Sequence, residues 1–454
     1  MKKAFLLLSL IILYSCSNST DTLTTDDSSE KVTLTAQELL SIAYDNPKEL
    51  SESEAIDLIT QFDSQEKLKI NSLRSSKPIS LKKTNQYYLK DNLKLRSSSN
   101  NEHSAIPIYE FEMNDGENLG CAIVCADERY PEVLAFVPKG AIRDTVFNKG
   151  FAEMVSNCKE VAKNNVAYID HLKDSLRDLT INKISKKLNI KKEDVKYDQV
   201  IHHIDVIGES QLETRADKIT EKYIGPLTKT AWHQNAPYNN DCPTGCASGH
   251  MYAGCVAIAL AQTIAYYETQ DSDNPSYFYD YPSMKNYSYV LDYGNSAVQV
   301  AKLVKRIGDI CHMQYGCGGS TSSLGDYGNK TLNIFNLNEG WKRIAGSRTE
   351  ASDLDFIERM QLSLNRGRLI LMRGANEDSE GHAWIIDGMK IVTKIPVRGA
   401  KEVHYYVTCN LGWGTPSSLS GYYAYGSTRY NPNALFVEGF LRDQFLLINI
   451  RVKE

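Results

Sequence analysis

"MYAGCVAIALAQTIAYY", residues 251–267, decides how the rest of the chain is read. After Gly254 the small and aliphatic residues suit a helix, and within it only Gln262 and Thr263 are plainly polar. A helix that is apolar all round belongs inside a protein. Its first residue is nevertheless a cysteine, Cys255, entered through a glycine. One reading is a small buried hydrophobe, the common fate of a free cysteine. The other is a placed nucleophile. A helix N-terminus lowers a thiol pKa, because the dipole and the free N–H groups favour the anion, and the thiolate is the reactive form.

A histidine partner would lower the thiol pKa further and carry its proton. His382 stands after a glycine in "EGHAWIIDG" (380–388), at the start of an apolar strand. Asn410 stands near the end of the next strand, in "YVTCNLGWG" (406–414). Adjacent antiparallel strands bring the two side chains together, so that the amide oxygen fixes the imidazole. Upstream, Gln234 in "WHQNAPYN" (232–239) offers a side-chain donor to a developing oxyanion, beside the Cys255 N–H. The order Gln, Cys, His, Asn is far less common by chance than any one piece.

That order resembles the papain-like cysteine peptidases. The strings "TAWHQNAPYN" (230–239), "GCVAIALAQTIAYY" (254–267), "GHAWIIDG" (381–388) and "VTCNLGWG" (407–414) are similar to the streptopain family of bacterial cysteine peptidases. The resemblance implies Cys255 as nucleophile, His382 as base, Asn410 as the residue orienting it, Gln234 as oxyanion donor, and Trp413 as a tryptophan near the asparagine–histidine pair. Leu411 departs from the family, which has a second tryptophan there, and the departure puts the shielding of the Asn410–His382 contact in doubt. "GCAIVCADERYPEVLAFVPKG" (120–140) is similar to the family's propeptide. The resemblance runs from about 105 to 450. It implies an α+β fold: a papain-like two-lobed catalytic domain, with a helical lobe and an antiparallel sheet lobe, preceded by an α+β propeptide domain. It also implies a zymogen that hydrolyses peptide bonds through a thioester without metal or organic cofactor, with its own propeptide as intramolecular inhibitor and proteins or peptides as substrates. A transamidase of the same fold and a catalytically degenerate surface binding protein are the competing readings.

The first residues set the compartment. Lys2 and Lys3 precede an apolar run from Ala4 to Tyr14, then Ser15-Cys16, the pattern of a secretory signal. Its length is too short for a spanning helix. The cysteine after a small residue resembles the bacterial lipobox, which implies a lipid on Cys16 and an anchor to a membrane. Ser17 to Glu30 is polar and reads as a tether. The organisation expected is a lipoprotein signal peptide over 1–16, a flexible tether over 17–35, an inhibitory propeptide domain over 36–215 and a peptidase domain over 216–454. The place expected is outside the inner membrane, as an outer-membrane or cell-surface lipoprotein, with release on maturation as a further option.

With 454 residues, 42% apolar and 24% charged, the composition is that of an ordinary globular protein. A net charge of −5 without a basic block argues against a nucleic-acid binder. Ten cysteines in an exported chain suggest disulfides; removing Cys16 leaves an odd number and so a free thiol. Cys242–Cys246 and Cys311–Cys317 are candidate local bridges, with the connectivity open. Reading "CPTGCASGHMYAGC" (242–255) as zinc ligands is weaker, because the spacing is loose. "GCGGSTSSLGDYG" (316–328) lacks the lysine of a phosphate loop and reads as a surface loop or a cleft wall. Ser51 and Glu54 have capping-box spacing. Residues 120–137 read as two strands joined at Asp127 to Pro131, and Phe147 to Leu188 as helix broken near Asn182. The charged join "GESQLETRADKITEKY" (208–223) is the expected boundary, and the helical part of the second half is expected to span about 245 to 310, followed by sheet.

Overall fold

The computed structural model describes residues 31–69, 79–90, 105–116, 118–146, 148–207, 218–338, 340–344, 353–375, 381–395, 401–414, 421–427 and 445–453. The signal segment, Cys16 and the polar stretch to residue 30 lie outside them, as does most of the join at 208–217. The fold is α+β. The tether expected to residue 35 ends earlier, because Val32–Leu34 is a strand paired in parallel with Ile204–Val206. These strands close a small core over the far end of the long helix described below, with Leu39, Ile42, Ile184 and Val200.

In the first half, Glu52–Lys69 begins at the foreseen capping box: the Glu54 N–H donates to Ser51 Oγ, and the Ser51 N–H to the Glu54 carboxylate. Leu119–Cys125 and Glu132–Val137 are the two expected strands, in one meander with Ser80–Leu89 and Ile106–Asn114. Lys149–Leu188 is one helix, unbroken at Asn182. After Gly150 it contains no glycine or proline, and an asparagine costs a helix only about 0.7 kcal/mol relative to alanine. Phe151, Met154, Val155, Cys158, Val161, Ala162, Val166 and Ile169 make its buried stripe.

In the second half, Ile370–Ala375, Gly381–Ile395, Glu402–Asn410 and Tyr422–Ser427 form the expected antiparallel sheet. Helices continue past 310, at Leu324–Ile334 and Asp353–Asn365. The join is partly a strand: Lys218–Ile224 pairs with the later half of Gly381–Ile395. The two halves share one eleven-stranded sheet among the described residues, joined where Tyr422 and Tyr423 pair with Phe136 and Ala135.

Strand alternation then sorts the core into layers. Ala383, Ile385, Leu369 and Leu371 face the helical part of the second half. Trp384, Ile386, Ile370 and Met372 face the other way, into a core that includes Phe151 and Met154 of the long helix. The central strands therefore lie between the helical lobe and the N-terminal half.

Candidate active site

Cys255 opens the helix Cys255–Tyr267, and every residue from Val256 to Ala265 is buried. The helix packs against Asn295–Ile310, Leu324–Ile334 and the strand Gly381–Ile395. Gly254 enters it at φ 92°, a left-handed conformation that suits glycine, and a Cβ there would lie 2.6 Å from Met313 Sδ. The loop 316–323 braces this entry. Ser320 Oγ donates to the Tyr252 carbonyl at 2.5 Å, and Tyr252 N–H donates to the Gly316 carbonyl at 3.3 Å. A disulfide joins Cys246 to Cys317, so the candidate bridges Cys242–Cys246 and Cys311–Cys317 do not form: Cys242 and Cys311 are free and buried. The bridge ties the short strand Thr244–Cys246 to the loop 316–323 rather than neighbours in sequence. It also removes Cys246 from the possible zinc ligands.

The half-buried Cys255 thiol is hydrogen-bonded to the His382 imidazole. Burial opposes ionisation of the thiol. The imidazole's charge and hydrogen bond outweigh it, with help from the Ala383 and Val256 backbone, and the thiol pKa is lowered. His382 shows the mirror image: burial opposes its charge, while Cys255, the Leu411 carbonyl and Glu153 raise its pKa. The pair is thus disposed to hold one proton on the ring and a negative charge on sulfur.

Asn410 does not touch the imidazole in the way the sequence suggested. In the strand register Asn410 is opposite Ile385, three residues beyond His382. Its amide points into a buried polar network: Nδ2 donates to the Thr230 carbonyl at 2.7 Å and to Gln262 Oε1 at 3.0 Å, and Oδ1 accepts from Gln262 Nε2 at 3.2 Å and from the Gly412 N–H at 3.2 Å. The chain turns after it, with Gly412 at φ 72°, and the Leu411 carbonyl reaches His382 Nε2 at 2.9 Å. The contact that orients the ring is made by the backbone. The Leu411 side chain itself is buried in the core. Trp413 lies near the ring, with centroids 6.0 Å apart; Trp384, which the sequence reading passed over, stacks on it at 6.1 Å.

Gln234 is half-buried and its carbonyl accepts from the Ala253 N–H at 3.0 Å, which ties its segment to the residues just before Cys255. Cys255, as the first helical residue, has no acceptor for its own N–H within the helix.

The N-terminal half reaches the same place. Asn148 caps the long helix by accepting from the Phe151 N–H, and the first turn lies on the imidazole: a Cβ at Gly150 would be 2.3 Å from His382 Cδ2. Glu153, one turn on, is buried. Neither residue is recognisable in the sequence without knowing what the helix covers. Further along the sheet, buried Glu132 of the N-terminal half forms an ion pair with Lys394, accepts from Tyr406 Oη at 2.9 Å and lies 3.5 Å from His404 Nε2.

Residues 232–423 match the family model of the Peptidase C10 family. No curated protein matches the sequence. Among solved structures, the chain is similar to a mutant fragment of prointerpain A from Prevotella intermedia, at 19% identity and a TM-score of 0.48, covering 83% of this chain and 99% of that one. It is also similar to active wild-type interpain A cysteine protease from the same organism, at 24% identity and a TM-score of 0.36, covering 51% of this chain and 96% of that one.

Proposed function

We propose, from the match of residues 232–423 to the Peptidase C10 family model, an exported zymogen endopeptidase that works through a thioester on Cys255. The observation that carries this reading is the thiol at a buried helix's first residue, hydrogen-bonded to an imidazole, with the two pKa values moved in opposite directions. The Cys255 thiolate attacks a peptide carbonyl carbon and forms a carbon–sulfur bond. The Cys255 N–H and the Gln234 amide stabilise the oxyanion. His382 gives its proton to the leaving amine, and the carbon–nitrogen bond breaks. Water then attacks the thioester as His382 takes its proton, and the acid product leaves with Cys255 restored. Asn410 supports His382 through the turn that carries the Leu411 carbonyl.

In this reading residues 36–215 are the inhibitory domain. The packing of Gly150 on His382 supports it, since a substrate and that helix turn compete for the same ground. Maturation places the new N-terminus between about 208 and 228. The pairing of Lys218–Ile224 in the sheet favours a cut toward the start of that window. The signal over 1–16 and the lipid on Cys16 belong to the same proposal, with the anchor holding the precursor outside the inner membrane.

The test is casein hydrolysis by the purified full-length chain under reducing conditions. Hydrolysis that iodoacetamide stops, and that an added amine does not divert into transamidated product, is the expected result. No hydrolysis by any processed form would overturn the reading.

A further inference from the structure

Gln262 lies seven residues after Cys255, two turns along the same helix and on the same face. It is fully buried among alanines and isoleucines, a costly place for an amide unless its hydrogen bonds are met. They are met by two other segments of the site. Oε1 accepts from the Trp232 N–H at 3.1 Å and from Asn410 Nδ2 at 3.0 Å, and Nε2 donates back to Asn410 Oδ1 at 3.2 Å. Trp232 is two residues before Gln234. Asn410 in turn holds the Gly412 N–H, and so the turn that aims the Leu411 carbonyl at His382. One amide therefore touches the helix of the thiol, the segment of the oxyanion donor and the turn that orients the base.

We infer that Gln262 is a positioning residue for the reaction, setting the register of the nucleophile helix against the oxyanion segment and the imidazole. This rests on the peptidase reading above. Gln262 touches no reacting atom and acts through Asn410, Leu411 and Trp232. Its neighbour Thr263 supplies the comparison. Thr263 is equally buried, but its hydroxyl donates only within the helix, to the Ala259 carbonyl at 2.8 Å.

The experiment uses the full-length chain, allowed to mature, in three variants. Gln262→Met keeps the length of the side chain and removes its hydrogen bonds. A misplacement of the imidazole on the order of 1 Å costs about 10²-fold. The expected loss is of that size, falls on kcat rather than KM, and comes with a displaced pH profile for Cys255 alkylation. The sign follows from the geometry. The Leu411 carbonyl raises the His382 pKa, so a turn that no longer aims it moves the alkaline limb of the ion-pair plateau to lower pH. Gln262→Glu keeps the pattern while its acid is neutral, donating to Asn410 and accepting from Trp232. It should be active at acid pH and lose activity through one added ionisation. Thr263→Val should match the parent in both readouts.

A folded Gln262→Met protein with unchanged kcat and alkylation profile would overturn the inference. So would a Gln262→Glu profile identical to the parent's, which also serves if the methionine variant does not fold. An equal loss in Thr263→Val would assign the effect to general damage of the helix and overturn it too. An active Cys255→Ala protein would instead overturn the peptidase reading itself.

Discussion

Two buried histidines on neighbouring strands, His382 and His404, both lie where the N-terminal half meets the C-terminal half, and the two meetings are built differently. At His382 the N-terminal half presents the edge of a helix turn: Gly150 lies on the ring, with buried Glu153 behind it. The ring's strong partners, Cys255, the Leu411 carbonyl and Trp384, all come from its own half. At His404 the N-terminal half inserts the buried carboxylate of Glu132 among His404, Lys394 and Tyr406, with Glu402 3.2 Å from the same His404 nitrogen. Nearby, Lys390 is buried 3.2 Å from Glu221, with its ammonium 3.5 Å from the centre of the Phe62 ring of the N-terminal helix Glu52–Lys69. The first contact covers and the second holds. In the proposed zymogen, the ion pair and the cation–ring contact that join the halves lie away from the Cys255–His382 pair, where the N-terminal half brings Gly150 and Glu153.

The comparison breaks first at the thiol. Cys255→Ala should abolish casein hydrolysis while the full-length protein keeps the unfolding midpoint of its parent, because the nucleophile contributes chemistry and little cohesion. Residual turnover above a trace would remove Cys255 from the mechanism.

Removing the holding contact comes next. Glu132→Ala leaves the partly exposed Lys394 without its buried counter-charge and His404 with Glu402, a change that costs about 3 kcal/mol, the low end for a broken buried pair. Denaturant unfolding of the full-length chain should show that loss, and activity should appear sooner in the variant. A midpoint within error of the parent's would mean that the cluster does not hold the halves together.

The covering contact should give a smaller effect. Gly150→Ala puts a methyl group where the His382 ring already lies, and overpacking of this kind costs about 1–3 kcal/mol. The full-length chain should lose stability while the matured enzyme, without residue 150, keeps its kcat. An equal stability in the full-length variant would show that the helix turn does not rest on the imidazole.

The smallest effect is that of pH. Burial works against the Glu132 carboxylate, but His404, Lys394 and Tyr406 outweigh it and its pKa is lowered in the folded chain. A depressed carboxylate stabilises fully above its unfolded pKa of about 4.3, and that contribution is lost as the pH falls through the folded value. Acid unfolding of the full-length chain should therefore be steeper below about pH 4.3 than that of Glu132→Gln. Superimposable acid limbs would place the sensitivity elsewhere.

What could be read from the sequence followed from local rules. The helix after Cys255, the hairpin of residues 119–137 and the late antiparallel strands each follow from composition over a short window. So does the meeting of Cys255 with His382, once both are placed at element ends. The errors concern what lies between windows. Strand order alone cannot say that Asn410 is opposite Ile385 rather than His382, because register depends on where each strand begins. The Cys246–Cys317 bridge joins residues 71 apart in sequence, and nothing in the local spacing marks that pairing. Gln262 did carry a signal, an amide two turns from the cysteine in a helix where only Thr263 beside it is also plainly polar. Gly150 carried none, since its meaning comes from the histidine that it covers.

Among the described residues the seam between the halves of the sheet is two residue pairs long, Tyr422 with Phe136 and Tyr423 with Ala135. A released peptidase would therefore bare very little backbone along that strand. Long exposed strand edges recruit other chains, and short ones are a common way of avoiding it. In the proposed zymogen the narrow seam limits the newly unpaired strand backbone when the halves part, and the surface they would bare is mainly the shared core of Phe151, Met154 and Trp384.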